Sequence, residues 1–260
     1  MSSNLSRGLA VLEFLSHHVE GLSLNGVAEP LGLPRSAAHR VLAELIEAGY
    51  VKHEGDFSPY RLTFKLASIG LSYMAESGVV ELVQPTIDKL AISSGELARM
   101  SIVDGTKLIW VAKAQGARGG LRYDVDSDPG EEVRLFCSSN GLAWLSTLPD
   151  EKALEIIMKQ GFNPEDYGPN APKTIQDLLA CLAACRKKGY AVAHDMYEEG
   201  IAAIAAPVFH AVDKRVIGAV SIAGPESRLK GARLEDFAPM VLDAAREISA
   251  LSLGIRAAAK

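Results

Sequence analysis

From its first residues the chain places apolar side chains at helical spacing. Leu5, Gly8-Leu9, Val11-Leu12 and Leu15 predict a helix over Leu5–Leu15, with Ser6 as its cap and Gly21 ending the segment. Val27, Ala28 and Leu31 predict a short second helix from Leu24 to Leu31, stopped by Pro30 and Gly32. Ala38, Val41, Leu42, Leu45 and Ile46 share one face of a third helix over about residues 35–48. Pro34 suits its entry and Gly49 a left-handed cap. Tyr50–His53 and Ser58–Leu62 read as a hairpin around Glu54-Gly55-Asp56. Three short helices followed by a hairpin make a winged helix-turn-helix.

Leu62 through Ser77 is helical again, with Leu66, Ile69 and Tyr73 on one side, and Gly78 breaks it before a further helix to about Ser94. Without a Pro/Ser-rich composition, this connection is stiff. From Leu97 the texture turns to strands: Met100–Val103, Lys107–Ala112 and Leu121–Tyr123, with a turn at Asp104-Gly105. Helices follow at 141–148, 151–160 and 174–188, the last ending at Gly189. Strands Tyr190–Ala193, Ala202–Phe209 and Val216–Ile222 precede a long helix from about Leu234 to Leu253. Antiparallel strands with helices gathered before and after them give an α+β class. The expected organisation is a DNA-reading domain over 1–62, a linker helix over 63–78 and a sensor domain over 79–260. No internal repeat or low-complexity segment interrupts it.

Composition narrows the class. At 48% apolar and 23% charged residues the chain reads as globular. Its apolar runs are too interrupted for a membrane span, and Glu13 and His17 break any signal-peptide core. Cys137, Cys181 and Cys185 are an odd set without a disulfide framework, which fits a reducing compartment, and the expected location is the cytoplasm. The net charge is -5, and residues 1–78 carry Arg7, Arg35, Arg40, Lys52, Arg61 and Lys65 against eight carboxylates. A nucleic-acid partner must therefore be met by a locally basic face.

That face is found at Gly32–Arg40. Ser36 and Ala37 are small enough to let a helix lie deep in a major groove, while Arg35, Ser36 and His39 can face base edges. Arg40, five residues from Arg35, is expected on another side, toward a phosphate or an internal acid. Two arginines and no carboxylate lie between Leu33 and Ala43. Lys52 in the wing and Arg7 near a helix start are candidates for the phosphate backbone.

Beyond these features, the chain resembles the IclR family of bacterial regulators over nearly its whole length. The likeness is carried by Ser6–Leu12, Leu31-Gly32-Leu33-Pro34-Arg35-Ser36, Arg40-Val41-Leu42 and Gly49-Tyr50-Val51. Further on it is carried by Ser138–Leu145, Gly200–Val208 and Ala219–Pro225. The resemblance implies a winged helix domain, a double-stranded DNA operator, a homodimer or dimer of dimers, and a GAF-like domain binding a small organic acid or related metabolite. It also implies a pocket of Val133, Phe136, Ser139, Asn140, Ala193, Ile201, Ala203, Ser221 and Ala223, with the Ser139 and Asn140 amides facing an anionic group. Two positions depart from the family's habit. Leu142 stands where a basic residue is common, and Ala193 where some members have an acid, with Asp195 close by.

Other chemistries are weaker. Cys137, His194 and Asp195 offer a nucleophile, a base and an orienting group, but a cysteine beside Leu135 and Phe136 reads as a small buried hydrophobe. Cys181 and Cys185 lack further ligands nearby for a metal, and Gly116, Gly119 and Gly120 form no phosphate-binding motif. No catalytic residue, metal or cofactor is expected. The rival reading is a metabolite-binding protein whose helix-turn-helix serves assembly only.

Overall fold

The computed structural model describes residues 3–55, 58–119, 122–123, 129–229 and 232–251. Asp56, Gly120, Leu121 and the expected helix end at Leu253 lie outside them. By contact density the chain divides into two compact units, Met1–Glu76 and Ser77–Lys260.

In the first unit, α1 (Asn4–Ser16), α2 (Leu24–Ala28) and α3 (Arg35–Glu47) bury Val11, Leu12, Leu15, Val27, Val41 and Leu42 in one core. One cap differs from expectation: Ser3, not Ser6, closes α1 by accepting the Ser6 N–H at 3.1 Å. Ser23 caps α2 in the same way, accepting from Gly26. Helix α1 ends at Ser16, five residues before Gly21, and Ile46 on α3 is exposed. The wing is β1 (Val51–Lys52) against β2 (Arg61–Leu62), antiparallel, with Val51 opposite Leu62.

Tyr60 extends the wing by pairing with Leu22, N–H to carbonyl in both directions at 3.1 and 2.8 Å. Gly21 permits this. Its φ is +79°, and a Cβ there would lie 2.6 Å from the Tyr60 carbonyl oxygen. After β2, Thr63 Oγ1 donates to Gly49 O and Lys65 Nζ to Ala48 O, at 2.6 and 2.7 Å. These bonds satisfy carbonyls that the end of α3 leaves open. They fix the start of α4 (Lys65–Ser77), no residue of which is buried.

The second unit is built on a five-stranded antiparallel sheet in the order β4-β3-β7-β6-β5. The strands are β3 (Leu97–Asp104), β4 (Lys107–Gln115), β5 (Ala191–His194), β6 (Ile201–Phe209) and β7 (Val216–Pro225). Helices α5 (Val79–Ser94) and α10 (Ala238–Ala250) pack on the sheet and on each other. Helix α6 (Ser139–Leu145) contacts β5, β6 and β7 and packs beside α8 (Ile175–Lys188), with α7 (Asp150–Gln160) following α6 along the chain. Both faces of the sheet are covered, since Ala219 and Ser221 are buried on one and Val220 and Ile222 on the other. Two expectations need correction. Arg122 and Tyr123 belong to no strand, and the closing helix is split into α9 (Ala232–Glu235) and α10, where Pro239 supplies the first turn.

Replacing Gly21 by alanine is expected to lower stability by about 1–3 kcal/mol, because a side chain must adopt a left-handed backbone and meet the Tyr60 carbonyl. Thermal unfolding measures it; an unshifted midpoint would mean that this approach of backbone to backbone is not tight.

Candidate functional site

The exposed side of α3 is opposite its buried Ala38, Val41 and Leu42. It presents Arg35, Ser36 and His39 as one outward strip, with Ala37 half-buried at its border. Arg40 is exposed as well, about 140° around α3 from Arg35, as the five-residue spacing implies. No carboxylate lies in the first turn, so the positive end of the helix adds to the charge of the arginines. Lys52 is exposed on the wing, 4.0 Å from Glu54, and Arg7 is half-buried on α1.

The second unit holds a cavity of about 610 Å³ free of protein atoms, part of it open to solvent. Its floor is a patch of small residues. In sheet register Ala193, Ala203, Ala223 and Leu97 form one row across β5, β6, β7 and β3. Side chains of one carbon leave space that Val or Leu would fill. The roof begins at α6, whose Gly141 lies against the Leu135 backbone, where a Cβ would come within 2.6 Å of the carbonyl carbon. The Asn140 side chain seats this helix, donating to Ser101 Oγ at 2.8 Å and to Ala219 O at 2.9 Å.

One wall runs along β4, where Val133 N–H donates to Leu108 O and Trp110 N–H to Glu131 O. Gln160 pins this wall through Leu135 N–H, Val133 O and the Glu132 carboxylate, at 2.8–2.9 Å. Burial opposes the Glu132 charge, yet hydrogen bonds from Gln160 and Lys107 hold its carboxyl below the usual range.

Arg99 supplies the positive charge. The residue is half-buried, and its guanidinium lies over the Trp110 ring, 4.0 Å from the centroid. Burial depresses its pKa, while the Tyr123 and Tyr197 phenols and a hydrogen bond with Tyr123 work the other way. Burial pushes the Tyr123 phenol up to about 12 in spite of Arg99, so the ring stays neutral. Directly across β7 from Arg99 stands Ser221. Ser221 Oγ and Asn140 Oδ1 are buried and, among the described residues, have no hydrogen-bond partner.

Of the residues named from the resemblance, Val133, Ser139, Asn140, Ala193, Ile201, Ala203 and Ala223 line this cavity. Phe136 does not. It is in the core with its ring edge-on to Phe162 and Tyr167, at 4.9 and 5.3 Å. Ser221 sits below the lining surface. The Asp195 carboxylate accepts the Gly200 N–H at 2.6 Å and so shapes the β5–β6 loop that brings Met196 and Tyr197 to the cavity. Ser138, not an amide of the loop, caps α6 by accepting from Gly141 N–H. That leaves the Ser139 and Asn140 N–H groups as first-turn donors without a partner inside the helix. Sequence reasoning missed Arg99, Trp110, Tyr123, Arg134, Cys137 and Tyr197. An arginine between Ala98 and Met100 in an apolar strand was the one available signal.

Cys137 is fully buried, and desolvation pushes its thiol up to about 12. Asp195 is engaged with Gly200, and no cluster of His, Cys, Asp or Glu among the described residues is suited to a metal. A neutral thiol is a poor nucleophile. The native protein is expected to resist iodoacetamide at Cys137 at pH 8, and the unfolded chain to react. The sign follows from the raised pKa: the folded state holds this proton more tightly than the unfolded one. The associated stability is full below the ordinary thiol value of 9.0 and is lost as pH rises toward about 12. Rapid labelling of Cys137 in the native protein at pH 8 would contradict that burial.

No single helix among the described residues is long and apolar enough to cross a membrane. Over its length the chain is 26% identical to the transcriptional repressor IclR of Escherichia coli (strain K12), covering 97% of this chain and 91% of that protein. Its fold matches the crystal structure of an IclR transcriptional regulator from Alicyclobacillus acidocaldarius, with a TM-score of 0.79, 23% identity and coverage of 97% and 99%. An IclR homolog of Microbacterium hydrocarbonoxydans, solved in complex with 4-hydroxybenzoate, matches with a TM-score of 0.77, 21% identity and coverage of 95% and 98%. Residues 4–55 match the IclR helix-turn-helix domain and residues 71–250 the C-terminal domain of bacterial transcriptional regulator IclR. The winged helix, the five-stranded sheet unit and these matches, in this order along the chain, make it a member of the IclR family of bacterial transcriptional regulators.

Proposed function

We propose that this protein reads an operator with the α3 strip and that a small organic acid in the second unit's cavity alters its DNA affinity. The observation that carries the reading is the pairing of a basic strip on α3, with no carboxylate in its first turn, with a cavity lined by the half-buried Arg99. In the major groove Arg35, Ser36 and His39 meet base edges with Ala37 allowing close approach, while Arg40, Lys52 and Arg7 meet phosphates. The complex of the Microbacterium homolog with 4-hydroxybenzoate and the aromatic lining of Trp110, Tyr123 and Tyr197 favour a small acid here. Membership of a family of transcriptional regulators favours DNA reading over a helix-turn-helix that serves assembly only.

A two-fold operator needs two recognition helices about 34 Å apart, which one chain does not supply. The first unit has a surface suited to a second copy. A groove lined by Leu5, Leu9, Leu12, Leu45 and Leu66 runs between α1, α3 and α4, and Leu9 and Ile69 are about half exposed. Joining two such grooves removes apolar area from water at about 25 cal/mol per Å². The domain plan follows: 1–62 reads DNA, the 63–78 helix joins, and 79–260 senses. Ligand that favours one spacing of the recognition helices shifts operator affinity, and a coupling of roughly 1–3 kcal/mol gives about 5- to 150-fold.

Fluorescence anisotropy on the DNA flanking the protein's own gene, at several salt concentrations and against a scrambled duplex, tests the reading. Arg35→Ala is expected to weaken operator binding by about 1–3 kcal/mol and to leave ligand binding unchanged; equal loss of both would mean that Arg35 supports the fold instead. Leu9→Asp is expected to yield monomers by sedimentation, and an unchanged oligomer would remove the α1–α4 groove from the interface.

A further inference from the structure

The exit of α3 is held by the segment that opens α4. The helix closes on a glycine motif: Tyr50 N–H donates to Leu45 O and Gly49 N–H to Ile46 O, both at 2.9 Å, with Gly49 left-handed at φ +77°. The next carbonyls along the chain are then met by Thr63 and Lys65. Lys65 Nζ donates to Ala48 O at 2.7 Å, Thr63 Oγ1 to Gly49 O at 2.6 Å and Thr63 N–H to Tyr50 O at 2.9 Å. The Thr63 hydroxyl also accepts the Lys65 N–H at 3.2 Å, so one oxygen bonds both the exit of α3 and the start of α4. The Lys65 ammonium lies over the Tyr50 ring, 4.7 Å from its centroid.

Two features make this clasp more than a turn. Helix α3 has no basic residue in its own last turn, so Lys65 supplies the cation that complements the negative end of the helix dipole. The buried side chains of α3 are Ala38, Val41 and Leu42, and beyond Leu42 no residue of the helix is buried. Its far end is therefore steadied by the clasp and by the half-buried Leu45. Val41 is about 9 Å along the axis from Arg35, and a tilt of about 5° there carries Arg35 by about 0.8 Å. A binding constellation must be held within about 0.5 Å of its productive geometry. The clasp thus controls the helix at the scale that base recognition requires.

We propose that Lys65 and Thr63 are positioning residues for sequence readout: they set the tilt of α3, and so the fit of Arg35, Ser36 and His39 to base edges, without touching DNA. The proposal rests on the reading of the α3 strip as the operator-contacting surface. It makes the first turn of α4 part of the reading head, since any shift of that turn is passed through Thr63 and Lys65 to the exit of α3. Base contacts are directional, whereas attraction to the phosphate backbone is sequence-blind and tolerates a small tilt. Loss of the clasp is therefore expected to remove discrimination between sequences before it removes affinity for DNA. A lysine that met a phosphate itself would do the opposite.

The test is fluorescence anisotropy of the full chain on two duplexes at several salt concentrations. One duplex is selected from a random-sequence pool by the unaltered protein, and the other is its scrambled counterpart. Lys65→Met keeps the length of the side chain and removes the donor; Thr63→Val keeps the shape and removes the hydroxyl. Each is expected to lower the ratio of selected to scrambled affinity about tenfold or more, with scrambled binding and the salt slope unchanged. Lys65→Arg and Thr63→Ser are expected to restore most of the ratio. Lys65 is exposed, so its variant reads the clasp even where Thr63→Val fails to fold. Equal loss on both duplexes with a salt slope smaller by about 1 would make Lys65 a phosphate contact and overturn the proposal. Equal loss with an unchanged slope and a lowered thermal midpoint would reduce the clasp to support of the fold and overturn it too, as would an unchanged ratio. Failure of the unaltered chain to select any duplex is a separate result, which removes the underlying reading of α3 as well.

Discussion

A single buried amide organises the second unit. The Asn140 side chain spends both N–H groups on the sheet, one on Ser101 Oγ and one on Ala219 O, and in doing so draws the start of α6 onto β3 and β7. Gly141 allows the approach, because its missing Cβ leaves room for the Leu135 backbone. The next turn then buries Leu142, Ala143, Trp144 and Leu145 against α8 and the sheet. The same tie creates the cavity. A helix pinned at this height over Ala193, Ala203 and Ala223 cannot settle lower to fill the space their short side chains leave, so packing density is given up where a ligand can restore it.

Charge in this protein matters by position and hardly at all by sum. The net value of -5 describes a chain with no general attraction for DNA, yet α3 presents a strip with no carboxylate in its first turn. Local arrangement decides contact, while the acidic remainder limits indiscriminate association with the phosphate backbone. The cavity follows the same logic at shorter range. The Arg99 guanidinium lies against the faces of Trp110 and Tyr123, which offset part of the cost of drawing it out of water.

How far the sequence revealed this depends on the distance over which each feature is determined. The helices of the first unit were legible because the period of Val11, Leu12 and Leu15, or of Ala38, Val41 and Leu42, is set within a few turns. Gly49 and Gly189 likewise mark helix ends through their own backbone preference, at φ +77° and +80°. The cap of α1 was displaced because Ser3 and Ser6 are alike in chemistry, and only the path of the chain decides which one meets the open N–H. The break between α9 and α10 was hidden by an apolar pattern that continues through it. In the cavity, the floor of alanines was legible from motif likeness. Arg99, Tyr123 and Tyr197 were not, since they come from separate stretches of chain and meet only through sheet register and loop paths. Phe136 and Cys137 show the limit most sharply: both are in the core, only Cys137 also lines the cavity, and no sequence signal says which.

These features explain why a ligand in one unit can have leverage at all. A ligand shifts a conformational equilibrium only by the difference in its affinity for the two states. An apolar cavity with flexible walls would hold its occupant about equally well in either state. Here the polar contacts are on elements that cannot move independently. Asn140 is tied to β3 and β7, Arg99 is part of β3, and Gln160 fastens the β4-side wall. A ligand that touches both α6 and the sheet, as proposed above, would discriminate between separations of the two. The chain passes from this unit to the wing through α5, Gly78 and α4, and the start of α4 is bonded to the end of the recognition helix through Lys65 and Thr63. The rigidity of the polar contacts at the cavity, and not the size of the apolar surface there, sets how much of the binding free energy can be converted into a change at the DNA.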